Sequence, residues 1–169
     1  MNTEKTMTTT TTTTTTTSAE GRDLILTRLI DAPPEKVYRA WTDPELMKQW
    51  FAPLPWTIVK VEHDVRPGGA SLVVMRSPEG AEFPMHGVYL DVIPNERLVF
   101  TDAFTEAWRP SEKPFMTVEV TFDNIGGKTN YTARVHHWSL ADREAHEKMG
   151  FHGGWAQCAE QLAAVVARM

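Results

Sequence analysis

Six histidines are the residues of this chain whose chemistry could serve a site near neutral pH. Strand alternation places His137 on the same face as Tyr131, and the helical period places His152 beside Trp155. Both imidazoles are therefore expected to face a space between sheet and helix, where a neutral ring can orient the polar end of a ligand. His146 lies six residues before His152, which puts the two on different helix faces. For each histidine alone, a satisfied core or surface position is the simpler interpretation.

Aromatic and sulfur-containing side chains are the second chemical signal, because many fall on segments that could border the same gap. Flat rings and adaptable methionines suit an apolar ligand pocket, and they suit an ordinary core equally well. Both interpretations stay open from the sequence. The candidate residues of the ligand cavity are Tyr89, Phe104, Trp108, Phe115, Met116, Val118, His137, Phe151, His152 and Trp155.

The sequence favours neither a metal nor a cofactor. No set of histidine, cysteine and carboxylate residues has the spacing of a zinc site. There is no Gly-x-Ser-x-Gly elbow and no phosphate loop at the start of a helix. Cys158 has no cationic neighbour in sequence, so we expect an inert, half-buried thiol there. The catalytic residues, if the protein is an enzyme, cannot be assigned from motifs.

The chain has 169 residues, of which the first 21 are expected to form a disordered, threonine-rich tail. Ten consecutive threonines, Thr8 to Thr17, cannot bury enough apolar surface to offset the entropy of ordering. Residues 22–169 are expected to form one domain, which is long enough for a substantial core.

Composition limits the partners. The net charge is −5 and no basic cluster is present, which disfavours nucleic-acid binding. No apolar run is long enough to span a membrane, and the N-terminal segment lacks the apolar core of a signal peptide. The single cysteine, Cys158, excludes an internal disulfide and fits a reducing compartment. We therefore expect a cytoplasmic protein.

Two short helices are expected near the start of the domain. Pro33 and Pro34 fit the first turn of a helix that ends before Pro44. A second short helix follows Pro44, and Trp41 and Trp50 lie on the apolar faces of the two helices. Such a pair suits a clamp under one end of a curved sheet.

Hydrophobic alternation predicts about seven strands joined mostly by short turns, hence an antiparallel meander. In the second strand, Val59, Val61, His63 and Val65 are expected to share one face. The predicted strands are 22–30, 56–65, 71–76, 83–92, 97–102, 115–122 and 129–137.

A helical period returns after Trp138 and continues to the C-terminus. The stripe that should face the sheet comprises Trp155, Ala159, Leu162, Val166 and Met169. Glycines 150, 153 and 154 interrupt this segment, and each costs about 1 kcal/mol relative to alanine in a helix interior. They predict a bend, a loosened turn, or a break that splits the helix in two.

This order of elements resembles the START-like, or Bet-v-allergen-like, helix-grip fold of the SRPBCC superfamily. Within it the chain resembles the family named after the activator of heat shock protein 90 ATPase. The resemblance implies an α+β fold in which a strongly curved antiparallel sheet wraps around a long C-terminal helix. The segments that carry it are Ala32 to Glu45, Trp50 to Pro53, Asp64 to Gly69, Gly87 to Tyr89, Pro94 to Phe100 and Gly150 to Leu162.

The resemblance implies three functions. The first is a binding domain for a small apolar or amphipathic molecule between sheet and helix. The second is an enzyme of cyclase, dehydratase or hydrolase type in the same cavity, with His137, His152, Glu106 and Asp102 as candidate catalytic groups. The third is activation of a chaperone ATPase, which the lack of room for the extra N-terminal domain of eukaryotic activators makes doubtful. A homodimer is left open.

Overall fold

A computed structural model describes residues 15–169. Within this range the chain forms ten strands and four α-helices. The strands are β1 (Thr16–Glu20), β2 (Asp23–Ile30), β3 (Thr57–His63), β4 (Ala70–Arg76), β5 (Glu82–Ile93), β6 (Arg97–Thr101), β7 (Phe104–Glu106), β8 (Arg109–Pro110), β9 (Met116–Ile125) and β10 (Lys128–His137). The helices are α1 (Pro34–Thr42), α2 (Pro44–Met47), α3 (Leu140–Lys148) and α4 (Phe151–Ala167).

Eight strands form one antiparallel sheet in the order β1-β2-β10-β9-β6-β5-β4-β3. The four helices cover one face, with α4 against β1 and β2 and with α1 against β9 and β10. β7 and β8 pair separately as a small hairpin. The predicted α+β helix-grip architecture is confirmed, and the seven predicted strands correspond to β2–β6, β9 and β10.

The strand β1 lies inside the segment 1–21 that composition predicts to be a disordered tail. It pairs with β2 from Thr16 to Glu20. The physical reason is the open edge of β2, which supplies unpaired backbone groups that β-branched threonines can satisfy. Composition describes the chain without that partner, so it places the domain boundary too late. The rest of the tail prediction, residues 1–14, lies outside the described residues.

The two short helices form as predicted and cover one half of the core. The Asp43 carboxylate caps α2 by accepting hydrogen bonds from the backbone N–H groups of Glu45 and Leu46. Trp41 is only 2% exposed, and its indole N–H lies 3.2 Å from the Tyr131 hydroxyl. The rings of Trp41 and Trp50 meet edge-on with their centroids 5.0 Å apart.

The predicted face of β3 is wrong at one residue. The register with β4 shifts between Ile58 and Lys60, so Val59 lies in a β-bulge. Ile58 and Val61 are therefore both buried, although their spacing does not fit simple alternation. A bulge adds one residue to a strand, and no turn residue in the sequence marks this one.

The C-terminal helical segment is broken at Gly150, one of the outcomes that its glycines predict. Gly150 has φ +100°, a left-handed conformation that favours glycine, and it separates α3 from α4. Gly153 and Gly154 instead lie inside α4 without interrupting it. Of the predicted stripe, Ala159, Leu162 and Val166 are buried, and Trp155 is partly exposed.

Within residues 15–169, no helix is long and apolar enough to cross a membrane.

We expect Trp41→Ala to lower the free energy of unfolding by about 3–5 kcal/mol, because it removes a fully buried indole and leaves a cavity. The matched control is Trp108→Ala, since Trp108 is 84% exposed and its loss should change stability by less than about 0.5 kcal/mol. Chemical denaturation measures both. Equal losses in the two variants would contradict the assignment of Trp41 to the core.

Candidate functional site

Two histidines from different elements form a hydrogen-bonded pair at the junction of β10, α3 and α4. Nε2 of His137, at the end of β10, lies 2.9 Å from Nδ1 of His146 on α3. The other ring nitrogen of His137, Nδ1, lies 2.8 Å from the carbonyl oxygen of Arg22. Both side chains are buried. The pair thus links the sheet to the helix that precedes α4.

The carbonyl of Arg22 fixes where the protons of this pair reside. A carbonyl oxygen only accepts, so Nδ1 of His137 must donate to it. In the neutral ring Nε2 of His137 then accepts, and Nδ1 of His146 must donate. Nε2 of His146 is left as an unprotonated acceptor. It has no hydrogen-bond partner among residues 15–169.

Aromatic rings surround His146. Its ring centroid lies 4.9 Å from that of Phe115, 5.2 Å from Phe151 and 6.1 Å from Trp155. Burial in this setting, with a further contribution from His137, lowers the pKa of His146 from about 6.5 to about 4. At neutral pH the His146 imidazole is therefore uncharged.

Asp102 holds one wall of this aromatic group in place. Its carboxylate accepts hydrogen bonds from the backbone N–H groups of Phe115, at 2.8 Å, and of Met116, at 3.0 Å. These contacts fix the backbone at the start of β9, where the Phe115 ring meets both histidines. Asp102 is thus a positioning residue, and its oxygen Oδ1 is occupied by the protein itself.

The sheet-facing side of α4 is open near the N-terminus of that helix. Trp155 lies between Phe151 and Leu162 on the helix face that is otherwise fully buried, yet it remains partly exposed. Cys158 on the same side is also only partly buried, and burial raises the pKa of its thiol to about 12. A Cβ atom added at Gly154 would meet nothing within 4 Å.

The face of the sheet that is directed at α4 is also incompletely covered by the helices. Three side chains pack against the core but stay partly accessible: Met75 on β4, Phe100 on β6 and Met116 on β9. Each shares its strand face with a buried core residue two positions away, so each points toward the helices. We use the name concave groove for the surface to which these three side chains and Trp155 and Cys158 contribute, since all five are apolar, partly exposed and packed against the core between sheet and α4.

A separate open cleft of about 520 Å³ lies at the ends of β3 and β4 and beside β7. Its charged lining includes Glu62, Asp64 and Glu106. Glu62 and Asp64 pair with the neighbouring basic side chains of Lys60 and Arg66, so solvent-exposed ion pairs satisfy them. None of the ten cavity candidates lines this cleft, which we call the edge cleft.

At the rim of this cleft, His63 is held on the inner side of the sheet. Its Nδ1 lies 3.3 Å from both the Ser71 hydroxyl and the Tyr89 hydroxyl, and its Nε2 is buried without a partner. Burial lowers the pKa of His63 to about 4. It also raises the pKa of Tyr89, so both groups are uncharged at neutral pH.

The structure brings some of the sequence candidates together and separates others. Phe115, His137, Phe151 and Trp155 meet around His146, and Met116 lies beside Phe115. Val118 and Tyr89 are fully enclosed in the core. Phe104 lies on the hairpin strand β7, and Trp108 lies at its exposed turn.

His152 is placed differently from expectation. Its two ring nitrogens lie 2.7 Å from the Thr17 hydroxyl and 2.7 Å from a Glu147 carboxylate oxygen. It therefore joins α4 to β1 and α3 at the surface, with its side chain 41% exposed. Neither it nor His137 has a ring nitrogen free for a ligand.

The four candidate catalytic groups are engaged separately. His137 binds His146 and His152 binds Glu147, whereas Asp102 holds the backbone before β9. Glu106 is exposed and lines the edge cleft. No group of three or more potential metal ligands occurs in the described part of the chain.

His146 belongs to this cluster but is not among the sequence candidates. The sequence places it on a helix face away from His152, which says nothing about its position relative to His137. Only two residues separate β10 from α3, and this short connection brings His146 on α3 against the end of β10. The direction in which α3 leaves the strand depends on three-dimensional packing, and no motif in the sequence marks it.

The chain is similar to a known family and to several solved structures. The model of the family described as Activator of Hsp90 ATPase homolog 1-like protein matches residues 31–167. The crystal structure of protein NE0264 from Nitrosomonas europaea is 38% identical, with a TM-score of 0.86, and the match covers 89% of this chain and 97% of that one. Protein CV1439 from Chromobacterium violaceum is 28% identical, with a TM-score of 0.70 and coverage of 85% and 96%.

A more distant structure shows the same fold. Protein Ms6760 from Mycobacterium smegmatis is 23% identical, with a TM-score of 0.77 and coverage of 89% and 96%. No curated protein matches the chain.

The buried, neutral His146 predicts a pH-dependent stability. Its folded pKa of about 4 lies below the unfolded value of about 6.5, so the unfolded chain binds the proton first as the pH falls. Stability should therefore decline as the pH drops from about 6.5 to about 4. Between about pH 7 and about pH 5, the wild type should lose about 2 kcal/mol more than His146→Phe.

Denaturant titrations at the two pH values measure this difference. His86→Phe is the control, because His86 is exposed and its replacement should leave the pH-dependent loss as in the wild type. If His146→Phe loses as much stability as the wild type, His146 is not held neutral by burial.

Proposed function

The chain belongs to the Activator of Hsp90 ATPase homolog 1-like family, and we propose that it binds a small apolar or amphipathic molecule in the concave groove. The observation that carries this proposal is the partial exposure of Trp155. That side chain lies on the most apolar face of α4, directed at the sheet, where a closed core would bury it. An indole in this setting offers a large flat surface to a ligand.

The two halves of the sheet differ in a way that supports a binding groove. On the α1 side, Trp41, Leu98 and Val120 are fully enclosed. Met116, which follows Phe115 in the ring cluster around His146, packs on the core and remains partly accessible, as does Phe100, whose ring lies 5.6 Å from that of Trp41 at the border of the closed half. Apolar surface left open beside a rigid core is typical of small-molecule sites, where binding buries it.

Glycine at position 154 supports the same site. On the helical wheel it lies on the same side of α4 as Phe151 and Cys158, and space for at least a Cβ is open there. A larger side chain at this point would project into the groove. The helix gains nothing from glycine, which costs about 1 kcal/mol relative to alanine. A Cβ at Gly153 would meet equally open space, so the feature that distinguishes Gly154 is its position on the same side of α4 as Phe151 and Cys158.

An enzymatic use of the groove is the alternative, and the state of the histidines favours binding over it. A general base works best when its pKa lies near the working pH. The pKa of His146 at about 4 makes it a weak base, although a good hydrogen-bond acceptor. Activation of a chaperone ATPase, which the family description names, is tested separately by adding the protein to the cognate chaperone and measuring ATP hydrolysis.

Screening by thermal shift and native mass spectrometry tests the proposed function directly. The panel should contain fatty acids, sterols and fused-ring aromatic compounds. We expect at least one class to bind with one molecule per chain and to raise the melting temperature. If no member of the panel binds, the proposed function is wrong.

Gly154→Leu tests the location, because it fills the groove while it favours the helix. For any compound found in the screen, this variant should bind at least about tenfold more weakly, since the leucine occupies the ligand's space. Gly153→Leu is the matched control. It brings the same gain in helix propensity at an exposed neighbouring position and should leave affinity unchanged. Equal affinity in both variants would place the ligand elsewhere.

A further inference from the structure

We infer that His146 is the polar recognition residue of the concave groove and that it selects molecules carrying an uncharged hydrogen-bond donor, such as a ring hydroxyl. This inference rests on the proposed function. To the proposed function the inference adds the chemical class of the ligand and the protein atom that recognises the ligand, Nε2 of His146.

The first step is that His146 can only accept. The Arg22 carbonyl requires a proton on Nδ1 of His137, and this leaves Nε2 of His137 to accept from Nδ1 of His146. The only proton on the neutral His146 ring is thereby committed to the protein. A ligand group that meets Nε2 of His146 must bring its own proton.

The second step is that this acceptor stays neutral. The rings of Phe115, Phe151 and Trp155 surround His146 and offer no opposite charge to stabilise an imidazolium ion. The adjacent His137 adds repulsion if either ring gains a proton, in accord with the low pKa of His146. A carboxylate ligand would face a lone pair instead of a donor, so the site disfavours anions.

Charged groups near the pair do not change this conclusion. On α3, Glu147 and Arg143 pair with each other, their nearest side-chain atoms 3.4 Å apart, and Glu147 also binds His152. Asp102 points to the backbone N–H groups before β9. Each of these charges already has its partner outside the ring cluster.

The third step connects the acceptor to the groove. Trp155 belongs to both, because it is one of the residues that define the groove and its ring centroid lies 6.1 Å from that of His146. A flat molecule that packs against Trp155 therefore has the His146 ring in its immediate neighbourhood.

Three naphthalene compounds of similar shape test whether the groove prefers an uncharged hydrogen-bond donor: 2-naphthol, 2-methoxynaphthalene and 2-naphthoate. The first carries a donor, the second carries an oxygen without a donor, and the third carries an anion. With the full-length wild-type protein at neutral pH, isothermal titration should show 2-naphthol binding about tenfold more tightly than 2-methoxynaphthalene. 2-Naphthoate should bind the most weakly of the three.

The variant His146→Phe keeps an aromatic ring and removes the acceptor. It should bind 2-methoxynaphthalene about as well as the wild type does and lose most of the preference for 2-naphthol. His86→Phe, at an exposed position away from the pair, should keep that preference. Circular dichroism melts of each variant confirm that it is folded.

The outcomes are distinct. If the wild type binds the three probes without preference, or if the preference survives in His146→Phe, the inference fails while the proposed function stands. If none of the probes binds the wild type, the groove does not accept ring compounds and the inference falls with it. The relative affinities of the three probes for the wild type test the inference even if His146→Phe does not fold.

Discussion

The break between α3 and α4 at Gly150 is the constraint on which the site depends. A continuous helix would carry residues 140–167 along one axis. The left-handed conformation of Gly150 instead separates α3 from α4. α3 follows β10 after only two residues and holds His146 against His137, while α4 packs against β1 and β2. The short β10–α3 connection and the break at Gly150 together place the histidine pair beside the start of α4.

The helices also cover the two halves of the sheet to different extents. The proline-bounded helices α1 and α2 close one half with Trp41 and Trp50, whose rings interlock and whose N–H groups are both satisfied. The N-terminal half of α4 has no comparable wedge, and small Gly154 stands where one could be. The fold is thus rigid on one side and accessible on the other, the arrangement that a preformed ligand site requires.

Much of the fold was predictable from sequence, because periodicity and prolines act locally. Seven strands, the two short helices and the helix break agree with those signals. Three features were not predicted from the sequence: β1, the bulge at Val59 and the pairing of His137 with His146. Each depends on how elements pack against one another, at an open strand edge, between neighbouring strands or at the end of a strand that meets a helix, and not on the local residue pattern. Of the sequence candidates, the structure brings Phe115, His137, Phe151 and Trp155 together around His146, whereas His152 lies between α4, α3 and β1.

The central claim is that the Arg22 carbonyl orders the protons of the histidine pair and leaves Nε2 of His146 as a neutral acceptor. Nitrogen-15 NMR of histidine-labelled protein at neutral pH tests this most directly, because it distinguishes protonated from unprotonated ring nitrogens. The account predicts protons on Nδ1 of both His137 and His146, with Nε2 of His146 unprotonated. A proton on Nε2 of His146 would contradict it.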